Sequence, residues 1–222
     1  MRDAFHEDLD KISDTLVEMT RLVGSAMSRS TTALLDADLP LAEGVIESDP
    51  QIDALRDEID EMAVQLIAQQ QPVATDLRIV VTALHMASSL ERMGDLAEHV
   101  AKVARLRYPK PAVPPQAQAT IVRMAQLAER IIAEVGSIIA AKDVNGAVTL
   151  HASDEEVDAL HRQVFALLAS EDWAGGTEAA VDITLLSRYY ERFADHAVSV
   201  ARQVAYLVSG EWEHRRRAVN AS

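Results

Sequence analysis

This chain is written twice, and the duplication limits its fold more than any other feature. The segment ERMGD at Glu91 to Asp95 returns as ERFAD at Glu191 to Asp195, one hundred residues on (191 − 91). In the middle of each half, Asp49, Ile52, Asp53 and Leu55 match Asp154, Val157, Asp158 and Leu160 at an offset of 105 (154 − 49), and Asp38 and Ala42 match Asp143 and Ala147 at the same spacing. The second half is therefore about five residues shorter around one turn. Beyond that turn Met86, Leu90, Met93, Ala97 and Val100 become Leu186, Tyr190, Phe193, Ala197 and Val200. Internal repetition of this kind means two copies of one supersecondary unit.

The unit is helical. Phe5, Leu9, Ile12, Leu16, Met19, Val23, Met27 and Leu34 recur at the three-and-four spacing of an amphipathic helix. Asp38-Leu39-Pro40 predicts a stop and restart, with Asp38 as N-cap and proline in the first turn. A second helix should run to Gln70 with a bend at Asp49-Pro50, and a third from Asp76 to Arg107, entered through Gln69 to Arg78 with Thr75 or Asp76 as N-cap. Tyr108 to Gln116, rich in proline, should link the halves. The second half predicts helices from about Ala117 to Ala141, Asn145 to Ala169 and Thr177 to Val208, with a break at Ala174-Gly175-Gly176. Hydrophobic residues make up 49% of the chain and aromatics only 4%, so the core must be built from Leu, Ile, Val, Met and Ala, the material of close-packed helices. The expected fold is all-α: two tandem, pseudo-symmetric antiparallel three-helix bundles. The first repeat spans 1–108, the linker 109–116, the second repeat 117–210 and a charged tail 211–222.

Charge and motif content exclude several functions. A formal net charge of −14 offers phosphate backbones little to bind, so nucleic acid is not an expected partner. The run His214-Arg215-Arg216-Arg217 is the exception, and a solvated, frayed tail is its expected state. With no cysteine there are no disulfides or thiolate metal sites. The N-terminus lacks the apolar region of a secretory signal, and no stretch approaches about 18 uninterrupted apolar residues, so we expect a cytoplasmic protein without a membrane span. There is no Gly-rich phosphate loop, no GxSxG and no HExxH. A di-iron carboxylate site needs paired Glu-x-x-His, and Glu211 to His214 is the lone example. His85 and His161 remain formal candidates for phosphotransfer, yet the expectation is that the chain is not an enzyme.

The repeated motif carries the remaining chemistry. Glu and Asp at i, i+4 share one helical face, and two like charges there cost an isolated helix a few tenths of a kcal/mol. Either a hard cation held by oxygen ligands or pairing with Arg92 and Arg192 would offset that cost. Carboxylates without cysteine favour Mg²⁺, Mn²⁺ or iron over structural zinc. Glu91 and Asp95 lie about a quarter turn from the apolar stripe of their helix, so they should sit at its edge or outside it. His99 and His196 fall at unmatched positions and read as surface or boundary histidines.

QQPVATDLR, followed by LERMGD in one half and YERFADHA in the other, with the D..ID.L signature at Asp49 to Leu55 and its echo at Asp154 to Leu160, resembles the PhoU family of bacterial phosphate-uptake regulators. The resemblance covers the whole chain. It implies a cytoplasmic negative regulator of phosphate uptake and phosphate-starvation signalling, acting by contacts with the ATPase subunit of the phosphate ABC transporter and with the phosphate-sensing histidine kinase. It also implies a divalent metal (iron, Mn, Mg or Zn) at Glu91, Asp95, Glu191 and Asp195, and a homodimer. The alternative is a metal-storage or metal-dependent hydrolytic bundle using the same carboxylates.

Overall fold

Local stop and start signals set the helix boundaries of the protein, a computed structural model of which describes residues 2–211, with the backbone alone for residues 2–6. The described residues form helices and no strands: α1 (Arg2–Asp36), α2 (Leu39–Ser48), α3 (Pro50–Gln70), α4 (Thr75–Arg107), α5 (Pro115–Ala141), α6 (Val144–Leu168) and α7 (Gly176–Ser209). The side chain of Phe5 and the run His214 to Arg217 lie outside the described residues.

Asp38 caps α2 as expected, its carboxylate accepting from the Leu41 N–H at 3.0 Å. Asp143 does the same for α6 through the Asn145 N–H at 3.0 Å. At Asp49-Pro50 the expected bend is a break in hydrogen bonding between α2 and α3, while Asp49 itself keeps helical angles (φ −55°, ψ −41°). Two boundaries differ from expectation. The residue before α4 is Ala74, at φ 51°, with no side-chain cap, so Thr75 is the first helical residue and neither Thr75 nor Asp76 is the cap. Gln71, at φ 48°, gives the turn a second left-handed residue, and these two together reverse the chain. Helix α5 starts two residues before Ala117 because Pro115 occupies its first turn, where a missing N–H costs nothing.

The four long helices α1, α4, α5 and α7 pack together in the middle. The α2–α3 pair lies against α1 and α4, and α6 lies against α5 and α7. Each repeat is thus a three-helix bundle whose first and third helices also pack on the other repeat. The pairing across the repeats is antiparallel. Arg107, the last residue of α4, meets Asp182 near the start of α7 at 2.6 Å, and Arg78 near the start of α4 donates to the Leu207 carbonyl near the end of α7 at 3.0 Å. Helices α1 and α5 approach where their residues are small. A Cβ on Gly24 would lie 3.3 Å from Ile132, and one on Gly136 would lie 2.9 Å from the Thr20 hydroxyl.

The predicted stripes are the core. Leu9 to Leu34 along α1, the five α4 positions from Met86 to Val100, and the matched α7 positions from Leu186 to Val200 are all buried. Burying so much apolar surface drives the packing at roughly 25 cal/mol per Å². Two buried polar contacts lock the register. The Ser30 hydroxyl on α1 faces the Ala97 carbonyl on α4 at 2.7 Å, and Thr31 shares a 2.7 Å hydrogen bond with the fully buried Tyr190 hydroxyl on α7.

Candidate functional site

The repeat that shapes the core also places an acidic cluster on each outer face. In the first repeat Gly94 lets α3 approach α4 closely, since a Cβ there would lie 2.9 Å from Ile52 and 3.4 Å from the Asp49 carboxylate. That approach brings Asp49 and Asp53 alongside Glu91, Asp95 and Glu98. Burial, and after it the charges of Glu98, Asp53 and Asp95, push the Asp49 carboxyl up to about 6, with Lys102 acting in the opposite sense. Burial and then Asp95 push Asp53 and Glu91 upward too. All three shifts report like charges gathered in a partly desolvated place.

The second repeat builds the same arrangement from α6 and α7. Burial raises the Asp154 carboxyl first, followed by Asp195 and Asp158, and burial and then Asp195 raise Glu191. The Glu191 side chain is 12% exposed, against 21% for Glu91 and 29% for Asp95. The motif therefore sits at the edge of the core, as its quarter-turn offset predicts, and Glu191 is the most deeply set of these three.

The arginine pairing is less symmetric than the motif. In the first repeat Arg92 contacts Asp95 at 2.8 Å and Glu91 at 3.6 Å. In the second, Glu191 pairs with Arg188, one turn upstream, where the first repeat has Ser88. Arg192 takes no part in that pair. Arginine thus accounts for some of the charge on each face, yet the carboxyls of Asp49, Asp53 and Asp154 are still raised.

Sequence reasoning missed the partners across the helix pair. The offset of 105 that matches Asp49 with Asp154 and Asp53 with Asp158 was the available signal. His99 is exposed, its ring 5.3 Å from that of Tyr189. His196 lies half-buried between α4 and α7, lowered by burial and then by Arg192. Both match the expected surface or boundary placement. His161 meets the Ser187 hydroxyl at 3.0 Å and the edge of Phe165 at 4.8 Å, and is likewise lowered, first by burial and then by Arg188. His85 is exposed.

The donor set, all carboxylate oxygen, suits a hard cation. Among the described residues no three of His, Asp or Glu converge as the ligands of one ion do. Reorientation of side chains on these faces would therefore have to accompany binding. No described helix is long and apolar enough to cross a membrane.

Fold and faces define a class: an all-helical tandem-repeat protein whose distinctive chemistry is a duplicated acidic surface. The PhoU domain model matches residues 16–104 and 121–204, one match per repeat, and the chain belongs to the PhoU family. It is 45% identical over 210 residues to the phosphate-specific transport system accessory protein PhoU homolog 2 of Mycobacterium tuberculosis, covering 95% of this chain and 99% of that one. It is 42% identical to PhoU homolog 1 of Mycobacterium leprae, with 96% of each chain covered. The crystal structure of PhoU from Pseudomonas aeruginosa superposes with a TM-score of 0.85 at 29% identity, over 93% of this chain and 100% of that one.

Proposed function

We propose that this protein is an accessory regulator of a phosphate-specific transport system. In this reading it works in the cytoplasm, as a homodimer, and restrains phosphate uptake and phosphate-starvation signalling when phosphate is plentiful. It acts through contacts with the ATPase subunit of the transporter and with a phosphate-sensing histidine kinase. The observation that carries the reading is membership of the PhoU family across both repeats, in a chain whose relatives are phosphate-transport accessory proteins along almost their full length.

The acidic faces support the reading physically. A regulator needs no catalytic group, but it must bind one state of its partner better than another. Carboxylates on a rigid helix pair give charge complementarity to a basic partner surface, which sets register and encounter rate. Deleting the gene behind a phosphate-responsive reporter tests the function: expression should become constitutive in rich phosphate. Unchanged control, with no second copy of the gene present, overturns it.

A divalent cation is the second element of the proposal. Glu91 and Asp95 on one face, and Glu191 and Asp195 on the other, would hold it, offsetting the burial and then the neighbouring aspartate charge that raise Glu91 and Glu191. The favouring observation is that local arginines leave these groups shifted upward. Elemental analysis of protein purified without chelator should find bound metal, and the combined E91Q, D95N, E191Q and D195N variant should lose it. Equal metal content in that variant would move the site elsewhere. Turnover of a phosphoester by the metal-loaded protein would instead favour the hydrolytic alternative.

A further inference from the structure

The acidic clusters are only one end of a longer surface. On α3, Asp53, Asp57, Asp60, Val64 and Ile67 follow at i, i+4, i+7, i+11 and i+14, a single stripe. On α4, Leu77, Val81, Leu84, Ser88, Glu91 and Asp95 form another stripe with the same alternation. The two helices are antiparallel across the turn at residues 71–74, and Asp53 and Asp95 sense each other's charge. The carboxylates therefore gather at one end of the helix pair. The apolar residues gather at the other, beside the turn.

Leu84 packs against the core, and the other apolar residues stay exposed among the described residues. Val64 is 65% exposed and Val73 74%, while Ile67, Leu77 and Val81 are each more than a third exposed. The second repeat repeats the order, with Phe165, Val181 and Leu185 exposed at the turn end of α6 and α7 and Asp154, Asp158, Glu191 and Asp195 at the other. A surface apolar at one end and acidic at the other, occurring twice on matched helices, needs an explanation that scattered exposed side chains do not.

The geometry points to a docking face for a partner helix that is apolar at one end and cationic at the other, seated along α3 and α4, with the α6–α7 face, where Arg162 and Arg188 stand in place of Asp57 and Ser88, as a second and less acidic seat. Charge selects this occupant. In the first repeat Arg56 is engaged by Asp57 at 2.6 Å and Asp60 at 3.5 Å, and Arg92 by Asp95 at 2.8 Å and Glu91 at 3.6 Å, so each arginine is shared by two carboxylates and, with Asp49 and Asp53 beside them, the face keeps a negative balance for a cation from outside. An anionic lipid surface would be repelled by the same carboxylates. The stripe from Leu77 to Asp95 extends about 27 Å at ~1.5 Å per residue, the length of a helix of roughly eighteen residues. Helix-in-groove recognition works in this way, with i, i+4 apolar anchors supplying contact area and charge fixing direction.

This assigns a docking surface to the proposed regulator, and rests on that reading only in taking the occupant to be a protein. The full-length protein would be titrated with two synthetic eighteen-residue helical peptides of identical composition, read by fluorescence anisotropy. One has Leu at one end and Arg at the other; its counterpart has both spread evenly. The segregated peptide should bind at least about tenfold more tightly and weaken as salt rises. V64D combined with V81D should silence the α3–α4 seat and halve the number of segregated peptides bound, and so should D53K combined with E91K; V181D with L185D added to either pair should abolish the preference. V148D, at an exposed position away from the face, should do neither. Circular dichroism confirms that each variant is folded.

Equal binding of the two peptides, or a number of bound peptides untouched by V64D with V81D, overturns the inference. If that pair of substitutions instead converts a dimer to a monomer in sedimentation and leaves peptide binding intact, the face joins two copies of this chain and the partner-helix assignment falls. Constitutive reporter expression on gene loss, together with no peptide preference, would leave the regulatory function standing and remove this surface from it.

Discussion

Replacing Asp49 with Asn should make the protein more stable at neutral pH and change little in acid. The Asp49 carboxyl is held at about 6 in the fold against an ordinary 3.8, chiefly by burial and then by Glu98, Asp53 and Asp95. Because the folded value is the higher one, between these two pH values the native state binds more protons than the unfolded chain, and stability falls as pH rises. Above about 6 the whole penalty is present; below 3.8 it has gone. At ~1.4 kcal/mol per pH unit the gap corresponds to ~3 kcal/mol at most. Asp49 is only half-buried and water screens its neighbours, so about 1 kcal/mol is the expected net effect. Asn keeps the size of the side chain, and no capping hydrogen bond is lost because the Asp49 side chain makes none. Urea unfolding followed by circular dichroism, with chelator present so that no cation offsets the repulsion, should show D49N gaining about 1 kcal/mol at pH 7.5 and a small fraction of that near pH 4. A loss of stability at pH 7.5, or the same gain at both pH values, would refute the account of this face as a site of uncompensated negative charge.

Tyr190→Phe should cost about 1 kcal/mol, seen as a lower urea midpoint at constant slope, because the buried Thr31 hydroxyl loses its 2.7 Å partner. Arg107→Ala should lower the midpoint as well, since it strands the Asp182 carboxylate, whose side chain is 6% exposed; D182A added to it should recover part of the loss. Gly94→Leu should destabilise by about 1–3 kcal/mol by forcing α3 away from α4, and the same displacement should return the Asp49 titration, followed by NMR, toward its ordinary range.

The helices were legible from local chemistry because their stops are local events. Asp38 and Asp143 cap the helices that follow them, Pro50 and Pro115 open theirs, and the three-and-four stripes mark the core side. The turn before α4 was not, because its left-handed residues are Gln71 and Ala74, and neither glutamine nor alanine advertises that conformation. The motif carboxylates were placed at the core edge by a rotation argument that holds within one helix. Which carboxylates face them depends on how two helices meet, and that is set by Gly94 admitting Ile52. Likewise Arg188 rather than Arg192 reaches Glu191, because the choice between an adjacent arginine and one a turn away is made by side-chain direction, which spacing does not encode.

The contacts of α1 with α5 and of α4 with α7 tie the two acidic faces to one packed helical core. That core sets their separation, and a partner carrying two matching segments would meet them as a bivalent ligand. Once the first segment is seated, the second faces its own site at an effective concentration fixed by geometry, and two weak contacts can combine into a strong one, provided the partner's spacing matches the frame. A conformational change that alters the partner's spacing by a few ångströms would then abolish one of the two contacts. The protein would release that partner without any change in its own shape, acting as a fixed gauge against which the partner's state is measured.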